Sequence, residues 1–136
     1  MDDVRLAPTV GIAANLVVIL VLAIPYAIID PNAVSTYYSS GAVNPLFAGL
    51  FAIVGVIIFA AGREKRSDPE LTAGIGLVFG IFVLGYTILW AVTVEIGVVY
   101  TLTSVSIFKY HRYALPLIAL TIPLSAIWYT RALRLF

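Results

Sequence analysis

The chain has 136 residues, of which 62% are hydrophobic and 11% are charged, and its formal net charge at pH 7 is +1. Ordinary soluble domains carry charge on roughly 25% of their residues, and a small soluble domain cannot bury so much apolar surface, so this composition indicates an integral membrane protein. The absence of cysteine excludes disulfides, thiolate catalysis and Cys-ligated metals, and the nearly neutral charge gives no case for a nucleic-acid partner.

Four uncharged stretches predict four membrane-spanning helices. A helix needs about 20 apolar residues to cross a bilayer, and its backbone groups must be hydrogen-bonded internally there. We predict spans over residues 7–29, 45–62, 71–94 and 113–130 of a single domain, residues 1–136, that folds as an antiparallel four-helix bundle. The acidic start of the chain, with Arg5 as its one basic residue, favours a retained first helix over a cleaved signal peptide.

Local signals mark two of the helix starts. Asn44 followed by proline is typical of an N-cap before the second span. Before the third span, Ser67 and Glu70 fit a capping box, whereas Asp68 followed by proline fits an N-cap equally well. Both alternatives predict a tight turn, so the second and third helices should be antiparallel neighbours.

Lysine and arginine are unevenly divided between the two ends of the predicted bundle. Four spans put both termini and the link between spans two and three at one end. Because short cytoplasmic loops are enriched in Lys and Arg, we predict a multi-pass protein of the cell membrane with both termini in the cytoplasm. The terminal end holds Arg5, Arg63, Lys65, Arg66, Arg131 and Arg134, and the outer end holds Lys109 and Arg112.

Two outer loops, residues 30–44 and 95–112, are rich in β-branched residues, Ser, Thr and Tyr. Such residues favour extended structure. We therefore predict a small ordered extracytoplasmic cap that could contain two short strands. The alternative is that residues 104–112 begin the fourth helix early, in which case Pro116 lies inside that helix and kinks it.

Five polar residues at the predicted outer rim are the candidate functional cluster. Two acids end the first and third spans and three basic residues precede the fourth, so we expect ion pairs that hold the loops onto the bundle. The alternatives are a recognition surface, or a polar site in which His111 acts as an acid or base near neutral pH. The spacing does not require a metal, and we predict no catalytic, cofactor or metal site. The five residues are Asp30, Glu95, Lys109, His111 and Arg112.

Small residues and one amide are the candidate helix-packing positions. Gly76 and Gly80 form a GxxxG pair, which lets transmembrane helices approach closely, either within the bundle or at a second subunit. Asn15 should face the bundle and hydrogen-bond to another helix, because an unpaired amide is costly in hydrocarbon. Pro25 and Pro123 should bend their helices.

Aromatic residues collect near the predicted ends of the spans. Tyrosine and tryptophan form belts at membrane–water interfaces, and we interpret the outer tyrosines and Trp90 as one such belt. No ionisable residue lies at predicted mid-membrane, which argues against a proton-coupled pump. The outer tyrosines are Tyr26, Tyr37, Tyr38, Tyr100, Tyr110 and Tyr113.

Several short features of the sequence point to one group of proteins. They are the start Met1-Asp2-Asp3, the excess of Arg over Lys, the turn from Gly62 to Glu70 and the tail Trp128-Tyr129-x-Arg131-Ala132-Leu133. In these features the chain resembles the small uncharacterised four-helix integral membrane proteins of halophilic archaea. The resemblance implies the fold and an archaeal source, but it carries no chemistry and no functional residues.

The sequence as a whole favours a non-enzymatic membrane protein. We expect a structural or accessory component in the lipid bilayer that presents its outer cap to a partner, within a homo-oligomer or a larger membrane complex. The alternative is a carrier that binds a small molecule or lipid between the cap and the outer helix ends. Such a carrier requires an enclosed polar cavity that reaches Asn15 or Glu95, and a membrane enzyme built around His111 is a third hypothesis.

Overall fold

The computed structural model describes residues 3–28, 31–39, 41–94 and 107–134. Within these ranges the chain forms six helices and no strand, so the prediction of an all-α architecture is confirmed for them. The helices are α1 (Asp3–Ile28), α2 (Pro31–Ser39), α3 (Leu46–Arg63), α4 (Pro69–Thr93), α5 (Ile107–Ala119) and α6 (Thr121–Ala132).

Four helical segments are long and apolar enough to span a membrane, as the sequence predicted. They are α1, α3, α4 and the pair α5–α6, whose two helices meet at Leu120. Leu120 keeps helical dihedrals, with φ −59° and ψ −29°, and backbone hydrogen bonds run from Leu120 to Pro116 and from Leu124 to Leu120, so the fourth span continues through this point. Pro123 has no N–H and so removes one hydrogen bond from the ladder there. The bends at Pro25 and Pro123 stay predictions.

The spans form a bundle in which each packs on two neighbours. Helix α3 packs against α1 and α4, and the α5–α6 pair packs against the same two helices. Arg63 at the end of α3 donates to the Thr9 hydroxyl near the start of α1 at 2.7 Å, so these helices are antiparallel. We call the end with Asp3, the α3–α4 turn and Arg134 the terminal end. The far end holds α2, the C-terminal turns of α1 and α4, and the start of α5.

The turn between α3 and α4 combines a helix C-cap with a helix N-cap. The N–H groups of Lys65 and Arg66 bond back to carbonyls in the last turn of α3, at 3.2 and 2.9 Å, in the pattern of a Schellman motif. Lys65 has a φ of 56° at the position of this motif where glycine is favoured. Asp68 then caps α4 by accepting from the Glu70 N–H at 3.1 Å, which decides between the two capping alternatives.

Glycines in α4 allow close approach to its neighbours. A Cβ placed on Gly80 would lie 2.8 Å from the backbone nitrogen of Pro123 in α6, and one on Gly76 would lie 2.9 Å from the ring of Phe59 in α3. Gly85, farther along α4, has no described atom within 4 Å of the equivalent point. Gly76 and Gly80 therefore pack helices within the chain, whereas Gly85 does not.

Asn15 faces the bundle and is 1% exposed. Its amide packs on Gly55 of α3, where a Cβ would lie 2.5 Å from the amide oxygen. The amide nitrogen donates to the carbonyl of Gly11 at 2.7 Å. The hydrogen bond is thus within α1 and not between helices, because the carbonyl one turn earlier lies within reach of a short side chain.

Part of the first outer loop is helical, so the prediction of extended structure is wrong for residues 31–39. Helix α2 begins at Pro31, whose fixed φ suits the first helical position. Its buried residues are Val34, Tyr37 and Tyr38, which lie on one helix face. That burial outweighs the weak helix propensity of the Ser, Thr and Tyr residues in the segment.

Two further helix starts bear on the sequence predictions. Asn44 accepts from the Leu46 N–H at 3.0 Å and so caps α3, one residue from the predicted boundary. Helix α5 begins at Ile107 and contains Pro116, which favours the alternative in which the fourth helix starts early. The rest of the second outer loop, residues 95–106, lies outside the described residues.

Candidate functional site

Four rings pack together at the far end of the bundle. We call Tyr37, Tyr38, Trp90 and His111 the aromatic–histidine cluster; the first three are fully buried and His111 is 5% exposed. The ring centroids of Tyr37 and Trp90 are 5.1 Å apart in an edge arrangement, and those of the two tyrosines are 5.2 Å apart and stacked. These are favourable aromatic geometries. The cluster joins α2, α4 and α5 around a shared contact.

A proline in α1 supplies the acceptor for His111. Pro25 has no N–H, so the carbonyl of Val21, one turn earlier, lacks its helical partner. The Nε2 atom of His111 lies 2.7 Å from that carbonyl oxygen. Because a carbonyl can only accept, Nε2 carries the proton and donates. The carbonyl that Pro25 leaves without a helical partner in α1 therefore accepts a hydrogen bond from a side chain of α5.

The other ring nitrogen of His111 is held by α2. Its Nδ1 atom lies 2.9 Å from the Tyr37 hydroxyl. With the proton on Nε2, Nδ1 of the neutral imidazole accepts and the Tyr37 hydroxyl donates. Both ring nitrogens are thus engaged inside the protein, and neither is directed at open space where a substrate could bind.

A second carbonyl near the Pro25 site ties α2 to α1. The Tyr38 hydroxyl donates to the carbonyl oxygen of Leu22 at 2.5 Å. Burial, and to a smaller extent the nearby phenol of Tyr26, raise the pKa of Tyr38 above its ordinary value. The hydroxyl therefore keeps its proton at physiological pH and remains a donor.

Arg112 closes the C-terminal end of α4. Its Nε and one terminal nitrogen donate to the carbonyl of Ala91 at 3.0 and 2.6 Å. Carbonyls in the last turn of a helix have no internal partner and carry partial negative charge, so a guanidinium suits this position. The same group lies 4.9 Å from the ring centroid of Tyr113. His111 and Arg112 thus bind backbone carbonyls of two different helices.

Replacing Arg112 with glutamine should lower the free energy of unfolding by about 1–2 kcal/mol, because two charge-assisted hydrogen bonds are lost and the amide reaches the carbonyl less well. The thermal midpoint of the purified protein in detergent measures this. Arg131→Gln is the control, since Arg131 is an exposed cation in α6. Equal midpoints for the two variants would contradict the capping role.

The segment after α2 covers the cluster. The N–H of Ala42 donates to the Thr93 hydroxyl at 2.9 Å. A Cβ placed on Gly41 would lie 3.0 Å from Cδ1 of Trp90, so the backbone passes directly over the indole. The indole Nε1 has no hydrogen-bond partner among the described residues. The position of Trp90 is therefore fixed by contacts of its ring with neighbouring groups, and not by a hydrogen bond to a described residue.

The structure describes only part of the predicted outer-rim cluster. His111 and Arg112 are neighbours whose observed partners are a tyrosine and backbone carbonyls. Asp30 and Glu95 lie outside the described residues, as does the side chain of Lys109, so the ion pairs with these groups stay a prediction. Among described residues, no group of three or more His, Cys, Asp or Glu is placed to hold a metal ion.

The comparison with protein families covers nearly the entire chain. A family of unknown function (DUF7548) matches residues 1–134. The chain belongs to the DUF7548 family. No curated protein and no solved structure matches it. The family description agrees with the expectation of an uncharacterised group and gives no source organism, so the function of this DUF7548 protein has to be argued from its own geometry.

The prediction of an interfacial aromatic belt is wrong for three members of the cluster in this DUF7548 protein. Tyr37, Tyr38 and Trp90 were expected in an interfacial belt, whereas all three are fully buried. By contrast Tyr110 and Tyr113 are exposed, as belt residues would be. One feature of the sequence could have distinguished the buried tyrosines from the exposed ones. Val34, Tyr37 and Tyr38 have the spacing of residues on one buried helix face.

Proposed function

We propose that this protein is a non-enzymatic, structural or accessory component of the cell membrane that presents an ordered outer cap to a partner. In this proposal the far end faces outward, both termini are cytoplasmic, and α2 with the segment after it forms part of the cap. The partner is a second copy or another protein of a larger membrane complex. An archaeal source remains part of the proposal.

The observation that carries the proposal is the packing of the aromatic–histidine cluster. Its rings are buried where α1, α2, α4 and α5 meet, and both nitrogens of His111 are engaged. The amide nitrogen of Asn15 is bonded within α1 and the group is packed on Gly55. A far end held together by packing and hydrogen bonds suits a protein that presents a fixed surface to a partner. It suits a carrier, or an enzyme that uses His111, less well.

The charge distribution supports the orientation. The terminal end of the described bundle carries Arg63, Lys65 and Arg66 in and around one turn, and Arg131 near the end of α6. Short basic loops favour the cytoplasmic side of a membrane. At the far end, by contrast, Arg112 places its charge on a carbonyl in the last turn of α4.

Single cysteines test the orientation, because the chain contains none of its own. Ser35 on α2 and Ser67 in the α3–α4 turn are both exposed. In intact cells a membrane-impermeant maleimide should label Ser35→Cys and leave Ser67→Cys unlabelled until the membrane is opened. A reporter that is active only in the cytoplasm should be active when fused after Phe136. The reverse pattern would overturn the orientation.

Two further variants separate the presenting role from the carrier. A photo-crosslinking residue at position 35 should give a discrete product in native membranes, whereas the same residue at position 67 should not give that product. Leu115→Cys, at a fully buried position of α5, should stay unlabelled in the folded protein. Labelling of residue 115 from the outside would support a carrier whose cap opens, and so would contradict the proposal.

A further inference from the structure

His111 is the only histidine in the chain, and it is buried at the far end with 5% of its surface exposed. Histidine is the side chain whose ordinary pKa lies between about pH 5 and 8. Carboxyl groups ordinarily change charge below about pH 5 and phenols near about pH 10. His111 is therefore the side chain from which a change of charge is expected just below neutral pH.

The hydrogen bonds of His111 require a neutral ring. Its Nε2 atom donates to the Val21 carbonyl oxygen at 2.7 Å, and its Nδ1 atom accepts from the Tyr37 hydroxyl at 2.9 Å. A protonated imidazole has a donor on both nitrogens and no acceptor. A proton on Nδ1 would therefore meet the hydroxyl hydrogen of Tyr37, and the bond that Tyr37 donates to His111 would be lost.

The described surroundings of the ring are unfavourable for a positive charge. The ring faces the two phenols of α2 and the indole of α4, whose ring centroid lies 6.2 Å from that of the imidazole. From α1, the phenol of Tyr26 packs on Tyr38 of the cluster. The next residue on α5 is Arg112, which is itself a cation.

The described carboxylates lie far from this ring. They belong to the terminal end of the bundle and are those of Asp3, Glu64, Asp68 and Glu70. Burying a charge that no carboxylate faces is costly, and the attraction of a cation to aromatic rings is weak beside that cost. Among the described residues nothing offsets a proton on His111, so protonation disfavours the packed far end.

Helix α2 depends on this ring for part of its attachment. Its nine residues pack through one buried face, and two phenol hydroxyls from that face reach other helices. Tyr37 donates to His111 of α5, and Tyr38 donates to the Leu22 carbonyl of α1. A helix of this length is not stable without tertiary packing. A change at His111 therefore acts first on α2, and not on the four long spans.

We propose that His111 is a pH-sensitive switch, in which uptake of one proton at Nδ1 breaks the hydrogen bond from Tyr37 and releases α2 from the bundle. The proton comes from the surrounding water and bonds to the Nδ1 lone pair, while Nε2 keeps its own proton and its bond to Val21. Neutral His111 holds the far end closed, and acid opens it. The switch would operate on either side of the membrane and without any partner, so its failure would leave the proposed function untouched.

The thermal midpoint in neutral detergent should depend on pH in a range set by the unfolded chain. There the imidazole takes up a proton below about pH 6.5, whereas the closed folded state requires a neutral ring. The unfolded state then binds more protons, so the free energy of unfolding falls as the pH falls through this range. For one proton the limit is about tenfold in the folding equilibrium per pH unit. The midpoint should be constant from about pH 8 to 7 and fall from about pH 6.5 to 5.5.

Trp90 reports on the opening itself. The chain has two tryptophans, so Trp128→Phe leaves the indole of the cluster as the single emitter. In this variant, at a temperature well below the midpoint, acidification from about pH 7.5 to 5.5 should shift the emission to longer wavelength and increase quenching by acrylamide. Release of α2 exposes the indole and so causes both changes. A midpoint that falls while Trp90 stays shielded would contradict the release of α2.

His111→Gln and His111→Phe, both in the Trp128→Phe background, are the controls. Glutamine can donate and accept hydrogen bonds but takes up no proton in this range, and phenylalanine keeps most of the ring volume. Both variants should lose the acid response of the midpoint and of Trp90, even where their stability at neutral pH differs from that of the parent. A parent midpoint that stays constant or rises on acidification would overturn the switch. The same acid response in parent and variants would also overturn it.

Discussion

Replacing Gly80 with leucine is expected to lower the free energy of unfolding by about 3 kcal/mol, the upper part of the range for overpacked positions. Even the first side-chain carbon would lie 2.8 Å from the backbone nitrogen of Pro123 and 2.9 Å from Ile122. A backbone neighbour cannot rotate away as a side chain can, so α4 and α6 have to separate. The thermal midpoint in detergent and the yield of folded protein measure the effect.

The same helix offers a control for this prediction. Gly85→Leu makes an identical chemical change at a position with no described atom near its Cβ. Because leucine has a higher helix propensity than glycine, that variant should be neutral or slightly stabilised. Equal destabilisation at both positions would mean that α4 tolerates no leucine for reasons unrelated to its contact with α6. If Gly80→Leu leaves the thermal midpoint unchanged, the close contact between α4 and α6 at Gly80 is contradicted.

The four spans could be read from the sequence because lipid imposes one simple rule. Uncharged runs of sufficient length become helices when no water is present to bind the backbone. The rule does not extend to short segments outside the spans. For residues 31–39 local propensity favoured strands, but a buried face formed by Val34, Tyr37 and Tyr38 decided for a helix. Tertiary burial outweighs local preference in such segments.

The candidate site was partly predictable. His111 and Arg112 stand out in the sequence as polar residues beside a span, and both bind backbone carbonyls, which are acceptors that the residue spacing did not indicate. Two rules could have indicated these acceptors, since Pro25 frees the carbonyl one turn earlier and the last turn of α4 has free carbonyls. Which donor reaches which carbonyl depends on the packing of α5 between α1 and α4. The spacing of residues along the chain does not contain that information.

His111→Ala should lower the free energy of unfolding by about 2–4 kcal/mol. The variant leaves a cavity in a filled cluster, and it leaves the Val21 carbonyl and the Tyr37 hydroxyl without their observed partner. His111→Phe keeps most of the ring volume and should lose about 2 kcal/mol, mainly because the hydrogen bonds made by the imidazole are lost. The difference between the two variants separates packing from hydrogen bonding. Equal stability of His111→Phe and the parent would show that the hydrogen bonds contribute nothing.

A double-mutant cycle between Pro25 and His111 tests the origin of the acceptor. Pro25→Ala restores an N–H that can bond the Val21 carbonyl within α1. Once that carbonyl has its helical partner, loss of the imidazole no longer leaves it unsatisfied. The combined Pro25→Ala and His111→Phe variant should therefore be more stable, by about 1 kcal/mol, than the sum of the single changes implies.

Pro8 provides the control for this cycle, since it also lies within α1 but frees a carbonyl at the terminal end. Pro8→Ala should show no coupling to His111→Phe, because the two sites share no partner. Coupling confined to Pro25 means that the proline and the histidine act as one unit, in which a backbone defect in α1 fixes the position of α5. If both prolines couple equally to His111, the effect is a general change in α1, and the carbonyl of Val21 is not the reason that a histidine is buried at this end of the bundle.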